Sequence, residues 1–272
     1  MSKPENQKAA GLCCLRGAVA FGHSDTGPVR QHNEDHFLLD AGLELLAVAD
    51  GMGGHEAGAL ASAIALETLR DCLAHEIAQV SRVENDPDAT CQAPSMQAVA
   101  VLYDAVEAVN AHLYAQNAAR RMSDGSGMGT TLTGIWRPQA GGPLLAFHVG
   151  DSRLYRYRAG ELEQLSRDQT WYQQALDAGH FDRLPARNVL LQAIGPSQHM
   201  EPEIRVQAVQ PNDVLMLCSD GLHGSVPHHE IIHLLRHAGR HNLEATSQRL
   251  IRLAAEYGSR DNTTVVLVKY DA

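Results

Sequence analysis

Residues 43–54 read Leu-Glu-Leu-Leu-Ala-Val-Ala-Asp-Gly-Met-Gly-Gly. An apolar run from Leu43 to Ala49 stops at Asp50-Gly51, and the arrangement recurs along the chain. Val214–Cys218 stops, after Ser219, at Asp220-Gly221. Leu144–Val149 stops at Gly150-Asp151-Ser152-Arg153, and Asp261-Asn262 stands ahead of Thr263–Val268. Short apolar runs rich in Val, Leu, Phe and Thr, bounded by Gly, Asp, Asn or Pro, predict buried or half-buried strands. Further runs of this kind are Ala18–Gly22, Phe37–Leu39, Thr130–Trp136, Leu154–Arg158 and the extension of the last strand to Tyr270. Arg158-Ala159-Gly160-Glu161 predicts a hairpin turn.

Working outward from these strands, Leu66, Leu69 and Leu73 follow helical spacing, as do Val99, Leu102, Val106, Val109 and Leu113. The polar breaker Glu84-Asn85-Asp86-Pro87-Asp88 separates the two segments and predicts an antiparallel helix pair joined by a surface loop. A second helical block covers roughly Pro227–Ala238 and Leu243–Tyr257. Strands surrounding two helical blocks predict sheets packed together with helices outside.

A carboxylate just beyond a buried strand is held at a defined point. Several such ends converging would form an oxygen-rich cage suited to Mg²⁺ or Mn²⁺, which take oxygen ligands and retain waters. Asp-Gly is also an ordinary turn dipeptide, so the pattern alone leaves both readings open.

Composition narrows the classes. The chain has 272 residues, enough for one large or two small domains. Its formal net charge of −10 makes it a poor non-specific binder of nucleic acid. Five irregularly spaced cysteines contain no Cys-x-x-Cys pair, which excludes a zinc knuckle or redox dithiol and fits a reducing cytoplasm. No apolar run approaches a membrane span, and residues 1–16 do not read as a secretory signal. Gly51, Gly53 and Gly54 are not followed by Gly-Lys-Ser/Thr, so a nucleotide-binding P-loop is rejected. Ser24, Ser152 and Ser219 lack the context of a serine nucleophile. His229, His233, His237 and His241 recur every four residues and read as a solvated helix face rather than a metal stripe.

Six short motifs occur in order: Arg30-Gln31-His32-Asn33-Glu34-Asp35, Asp50-Gly51-Met52-Gly53-Gly54-His55, Gly129-Thr130-Thr131, Gly150-Asp151-Ser152-Arg153, Ser219-Asp220-Gly221-Leu222 and Asp261-Asn262-Thr263-Thr264. On these residues the chain resembles the metal-dependent, type 2C serine/threonine protein phosphatases, in their compact bacterial branch, from about Gly17 to Tyr270.

The resemblance implies an α+β fold, a four-layer α-β-β-α sandwich of two antiparallel sheets flanked by helices. Residues 1–16, polar and mixed in charge at their start, read as a flexible tail, and the resemblance implies 17–272 as a single catalytic domain with a flap at about 166–191. It implies hydrolysis of phosphoserine and phosphothreonine in proteins by a water bridging two Mn²⁺ or Mg²⁺ ions. Asp50 would bridge both ions, with Asp220 and Asp261 completing the first. The Gly51 carbonyl would serve the second, with Asp35 or Glu34 close by. Asp151 and Asp220 would hold a third, weaker ion, and Arg30 would bind the substrate phosphate. Met52 stands where some relatives carry a histidine, which leaves His55 or a metal-held water as the general acid. Asp168-Gln169-Thr170 departs from the Asp-His-Ser of bacterial relatives, and Trp171 reads as a packing residue. A cytoplasmic monomer reversing a cognate kinase is the expected setting. A catalytically silent phosphoprotein-binding relative, or a metallohydrolase of small phosphate esters, are the alternatives.

Overall fold

The structure, a computed structural model, describes residues 8–54, 56–83, 94–138 and 142–271. Among these residues twelve strands and six helices follow one another in the order β1 (Lys8–Leu15), β2 (Ala18–Asp25), β3 (Asp35–Asp40), β4 (Leu45–Met52), α1 (Glu56–Val83), α2 (Pro94–Ala119), β5 (Gly129–Thr130), β6 (Leu132–Trp136), β7 (Leu144–Val149), β8 (Arg153–Arg158), β9 (Glu161–Gln164), α3 (Trp171–Asp177), β10 (Glu203–Gln207), β11 (Val214–Cys218), α4 (Asp220–His223), α5 (His228–Leu235), α6 (Leu243–Glu256) and β12 (Thr263–Tyr270).

One sheet has the order β1-β2-β12-β11-β8-β9 and the other β10-β7-β6-β4-β3, with β5 paired to β4; every pairing is antiparallel. Three apolar cores glue the layers. Leu66, Leu69, Leu73, Leu102, Val106 and Leu113 bury the helix pair against Leu45, Ala47 and Leu145 of the second sheet. Ala20, Leu46, Val48, Leu217 and Val266 fill the space between the sheets. Leu235, Leu250 and Leu253 close α5 and α6 onto Met216 and Val265 of the first sheet. Each Leu, Val or Met among them contributes about 2 kcal/mol when withdrawn from water. The expected α-β-β-α sandwich is the observed fold, because strands buried on both faces require an apolar layer on either side.

Three departures have physical reasons. Lys8–Leu15 pairs with β2 along its whole length, so residues 8–15 of the predicted tail are an edge strand; its small residues give no alternation to announce it. β10 was not predicted, since Glu203–Gln207 is a half-exposed edge strand whose apolar face is only Ile204, packed on the core, and Val206, which is exposed. β4 runs through Asp50 to Met52, because Gly51 and Met52 pair with Thr130 and Gly129. Asp50 therefore sits within a strand rather than beyond its end.

The loop read at Glu84–Asp88 and Cys91 lie outside the described residues. Cys13, Cys14, Cys72 and Cys218 are free thiols. No helix among the described residues is long and apolar enough to cross a membrane. The β8–β9 connection turns through Ala159 (φ 50°) and Gly160 (φ 94°), as its sequence predicts.

Candidate metal centre

Ends of both sheets meet at one cleft of about 690 Å³, lined by Arg30, Glu34, Asp50, Asp151, Asp220 and Asp261 together with Gly51. The elements place these side chains in different ways. The peptide of Asp50 is clamped on both sides: its N–H donates to Thr131 Oγ1 (2.9 Å), and its carbonyl accepts from Thr131 N (2.9 Å) and Thr130 Oγ1 (2.9 Å). Thr131 Oγ1 also meets Ser152 Oγ at 2.8 Å, which ties the β4 edge to the β7–β8 turn carrying Asp151.

Asp220 is the first residue of α4, after Ser219 in extended conformation at the cap. Gly221 lies so close to the Asn262 carbonyl that a Cβ there would stand 1.9 Å from the oxygen. This backbone approach seats Asp220 beside the loop that carries Asp261. Asn262 in turn donates to the carbonyls of Thr26 (2.9 Å) and His32 (3.0 Å) and accepts from Glu34 N (2.8 Å). His223 Nε2 lies 3.0 Å from the carbonyl of Asp151. A carbonyl has no proton to give, so Nε2 carries it, and burial pushes this imidazole down to about 3, keeping it neutral.

The electrostatics are those of carboxylates crowded together. Burial, then the charges of Asp35, Asp220, Asp151 and Asp261, raise Asp50 well above the usual carboxylate range. Burial and Asp220 push Asp151 up to about 7. Burial and Asp261 push Asp220 to about 6, against the lowering effect of Arg30 and a hydrogen bond with Asp50. Such a group of buried like charges calls for positive charge among them.

Among the described residues no three acidic, histidine or cysteine side chains stand around one common metal position. Arg30 Nη2 draws Asp261 Oδ2 to 2.6 Å. Hard cations suit this donor set, because each needs only one or two carboxylates and completes its shell with water. An Asp261 carboxylate that served a cation in this cleft would have to leave the guanidinium of Arg30.

Of the two carboxylates expected close by, Glu34 lines the cleft and Asp35 does not. Asp35 Oδ2 accepts from Ser219 Oγ at 2.6 Å, and its Oδ1 is buried with no hydrogen-bond partner. The reason is local: Asp35 begins β3 and is 3% exposed, so its carboxyl is turned behind the cleft toward β11. Burial, followed by Asp220 and Asp261, pushes it up to about 7. His55, expected as a candidate acid, lies outside the described residues.

At the flap, Arg153 grips Asp168 through Nε (2.8 Å) and Nη2 (2.7 Å), and Gln169 bonds Gly150 through both backbone (2.7 Å) and side chain (2.9 Å). Thr170 caps α3 by accepting from Gln173 N at 3.1 Å. Trp171, expected as a packing residue, is 50% exposed, because it starts a short helix that buries no residue. His229 is exposed and the rings of His233 and His237 meet at 5.6 Å, on the solvent side of buried Ile231 and Leu235.

Sequence reasoning found the aspartates and the Gly129-Thr130-Thr131 and Asp261-Asn262 motifs, but gave no role to Thr130, Thr131, Ser219, His223 or Asn262. Their signal was adjacency to an aspartate motif; their partners are dozens to hundreds of residues away.

Carboxyls held above their unfolded values bind protons in the folded metal-free state, so they stabilise it fully below about pH 4 and lose that contribution as pH rises through about 6 to 7. A bound cation removes the repulsion that appears there. The rise in Tm on adding Mn²⁺ is therefore expected to be larger at about pH 7.5 than at about pH 5.5. Equal rises, read by scanning calorimetry, would contradict this.

Comparison with known proteins agrees with the geometry. The serine/threonine protein phosphatase PstP of Mycobacterium tuberculosis is 36% identical over 256 residues, covering 91% of this chain and 45% of that protein. The chain thus spans about half the length of that relative. The serine/threonine phosphatase stp of Listeria monocytogenes is 33% identical over 258 residues, covering 91% of this chain and 94% of that one. The crystal structure of the PstP catalytic domain in complex with 2 manganese ions superposes with a TM-score of 0.73 at 34% identity, covering 94% of this chain and 99% of that one. Residues 22–256 match the family described as Protein phosphatase 2C. With its sandwich fold and the acidic cleft between the ends of its sheets, the chain belongs to the protein phosphatase 2C family.

Proposed function

We propose that this chain hydrolyses phosphoserine and phosphothreonine in proteins, using two Mn²⁺ or Mg²⁺ ions. The observation that carries this reading is the convergence of Asp50, Asp151, Asp220 and Asp261 on one cleft that Arg30 also enters. Asp50, whose peptide is clamped on both sides by Thr130 and Thr131, would serve both ions. Asp220 and Asp261 would hold the first with it, and the Gly51 carbonyl with Glu34 would hold the second. Asp151 and Asp220 would hold a third, weaker ion. When bound, the ions supply an activated water at neutral pH and neutralise charge on the phosphoryl oxygens.

The chain's own groups do the rest. Arg30, whose guanidinium is 49% exposed, offers a fork that matches two phosphate oxygens. The flap wall, with Val189, Leu190 and Leu191 on the cleft, limits water access beside the reacting phosphate. All four convergent aspartates are retained, which argues against a silent phosphoprotein-binding module. Unpaired cysteines fit work in a reducing cytoplasm. The chain acts there as a monomer on proteins phosphorylated by a cognate kinase.

The test is phosphate release from a phosphothreonine peptide. Wild-type protein with Mn²⁺ is expected to turn over, and excess chelator to abolish turnover, with recovery on adding Mn²⁺. Activity indifferent to chelator would overturn the proposal, and so would hydrolysis of small esters with none of the phosphopeptide.

A further inference from the structure

Glu34 is held by three separate parts of the chain. Its N–H donates to Asn262 Oδ1 (2.8 Å), and its carbonyl accepts both Gly51 N–H (3.1 Å) and the Ser62 hydroxyl (2.5 Å). Ser62 lies in the second turn of α1, fully buried. Its oxygen is also 2.9 Å from His36 Nδ1, and 3.1 Å and 3.2 Å from the carbonyls of Gly58 and Ala59.

The proton inventory of this cluster has one solution that satisfies its shortest contact. A hydroxyl has one proton to give, and a carbonyl has none. The 2.5 Å contact lies between the Ser62 oxygen and the Glu34 carbonyl, so the serine proton must lie there. The Ser62 oxygen is then an acceptor toward His36, and His36 must carry its proton on Nδ1. Serine in a helix interior ordinarily bonds back to its own helix; here it is turned outward to another element.

The packing around this link is equally close. A Cβ on Gly51 would stand 2.1 Å from the Gly58 carbonyl, and one on Gly58 would stand 2.4 Å from Glu34 Oε2. The first turn of α1 therefore lies backbone to backbone on β4 at Gly51, with the Glu34 carboxylate lying across it toward the cleft.

We infer that Ser62, oriented by His36, is a positioning residue for the second ion: it locks the peptide of Glu34, and through it sets both the Glu34 carboxylate and the Gly51 carbonyl. Neither Ser62 nor His36 lines the cleft, so the pair acts through Glu34 and Gly51 rather than on substrate. The inference rests on the two-ion reading of the site.

The test is calorimetric titration of Mn²⁺ into full-length wild type, Ser62→Ala, His36→Phe and His36→Asn, with Tm measured on each. Loss of an outer hydrogen bond at a metal site typically costs about 10- to 100-fold in affinity. Ser62→Ala is expected to weaken one of two Mn²⁺ binding events by about tenfold while leaving the other unchanged, and to raise the Mn²⁺ concentration needed for half-maximal activity without changing KM for peptide at saturating Mn²⁺. His36→Phe should shift the same event in the same direction. His36→Asn keeps an N–H near the Nδ1 position and should restore most of it. A purely structural role would lower Tm in every variant and move neither binding event selectively.

Wild type that binds two ions, with Ser62→Ala and His36→Phe binding them identically, overturns the inference alone. If Ser62→Ala does not fold, the His36 pair decides: equal affinities for His36→Phe and His36→Asn overturn it. Wild type that takes up no Mn²⁺ overturns the two-ion reading and the inference with it.

Discussion

Asp220→Asn is expected to lower kcat/KM for a phosphothreonine peptide by about a thousandfold, with little change in fold. The side chain is near-isosteric, so the start of α4 against the Asn262 loop is preserved; the change there is one negative charge and one acceptor. That charge is shared. The Asp220 carboxyl is raised by Asp261, and its charge is felt by Asp35, Asp50 and Asp151. If Asp50, Asp220 and Asp261 hold one ion together, as proposed, the substitution would remove one of its ligands and one of the three carboxylate charges around it. The metal-free variant should behave oppositely, because removing one of several crowded carboxylates relieves repulsion. Its Tm without metal is expected to equal or exceed that of wild type near neutral pH, while the stabilisation by Mn²⁺ shrinks. Wild-type kcat/KM in a folded Asp220→Asn protein would remove Asp220 from the machinery.

Arg30→Ala is expected to lower kcat/KM by about a hundredfold on both a phosphothreonine peptide and nitrophenyl phosphate, since the phosphate group is common to both. Arg30→Lys should recover only a small part, because a lysine supplies a point charge where two phosphate oxygens call for a planar fork. The position of Arg30 adds a second effect of opposite sign. Its guanidinium is bonded to Asp261 at 2.6 Å, and burial of the side chain is partial. Exposed ion pairs of this kind contribute little to stability, about 0–1 kcal/mol, so folding should be indifferent to the substitution. Mn²⁺ binding, however, no longer has to displace the guanidinium, and is expected to be as tight as in wild type or tighter. An Arg30→Ala protein with weakened Mn²⁺ binding and unchanged KM would reverse the assignment, making Arg30 part of the metal centre's scaffold rather than the phosphate clamp.

Much of this molecule can be read from local pattern. Val214–Cys218, Leu144–Val149 and Thr263–Tyr270 form strands with the bounds their apolar runs predict, since a strand buried on both faces needs continuous apolar residues and ends where turn residues begin. The helix pair is legible from leucines at helical spacing for the same reason. Edge strands escape this logic: Lys8–Leu15 and Glu203–Gln207 gain much of their structure from a neighbour's backbone, and the small residues of the first and the single alternating pair Ile204 and Val206 of the second give only a weak pattern. The predicted strand at Thr130–Trp136 is interrupted at Thr131, where the backbone turns its N–H to Asp50.

The site divides in the same way. Aspartates beside buried strands announce themselves, because a charge next to an apolar run needs a reason. The residues that hold them do not. Thr131, Ser219, Asn262 and Ser62 are small polar side chains of common type, and their partners become neighbours only when both sheets and α1 are assembled. The exchange of Asp35 for Glu34 at the cleft is likewise invisible in sequence. Glu34 precedes β3 and Asp35 begins it, and the Ser219 hydroxyl that binds the Asp35 carboxyl comes from a distant part of the chain.

The central claim is that aspartates far apart in the chain enclose two divalent cations. Anomalous scattering at the manganese edge from crystals grown with Mn²⁺ tests it directly. The account predicts two strong peaks flanking the Asp50 carboxylate, one also contacted by Asp220 and Asp261, with Arg30 released from Asp261, and the other contacted by the Gly51 carbonyl. A cleft with no peak at saturating Mn²⁺, and with Arg30 still seated on Asp261, would contradict it.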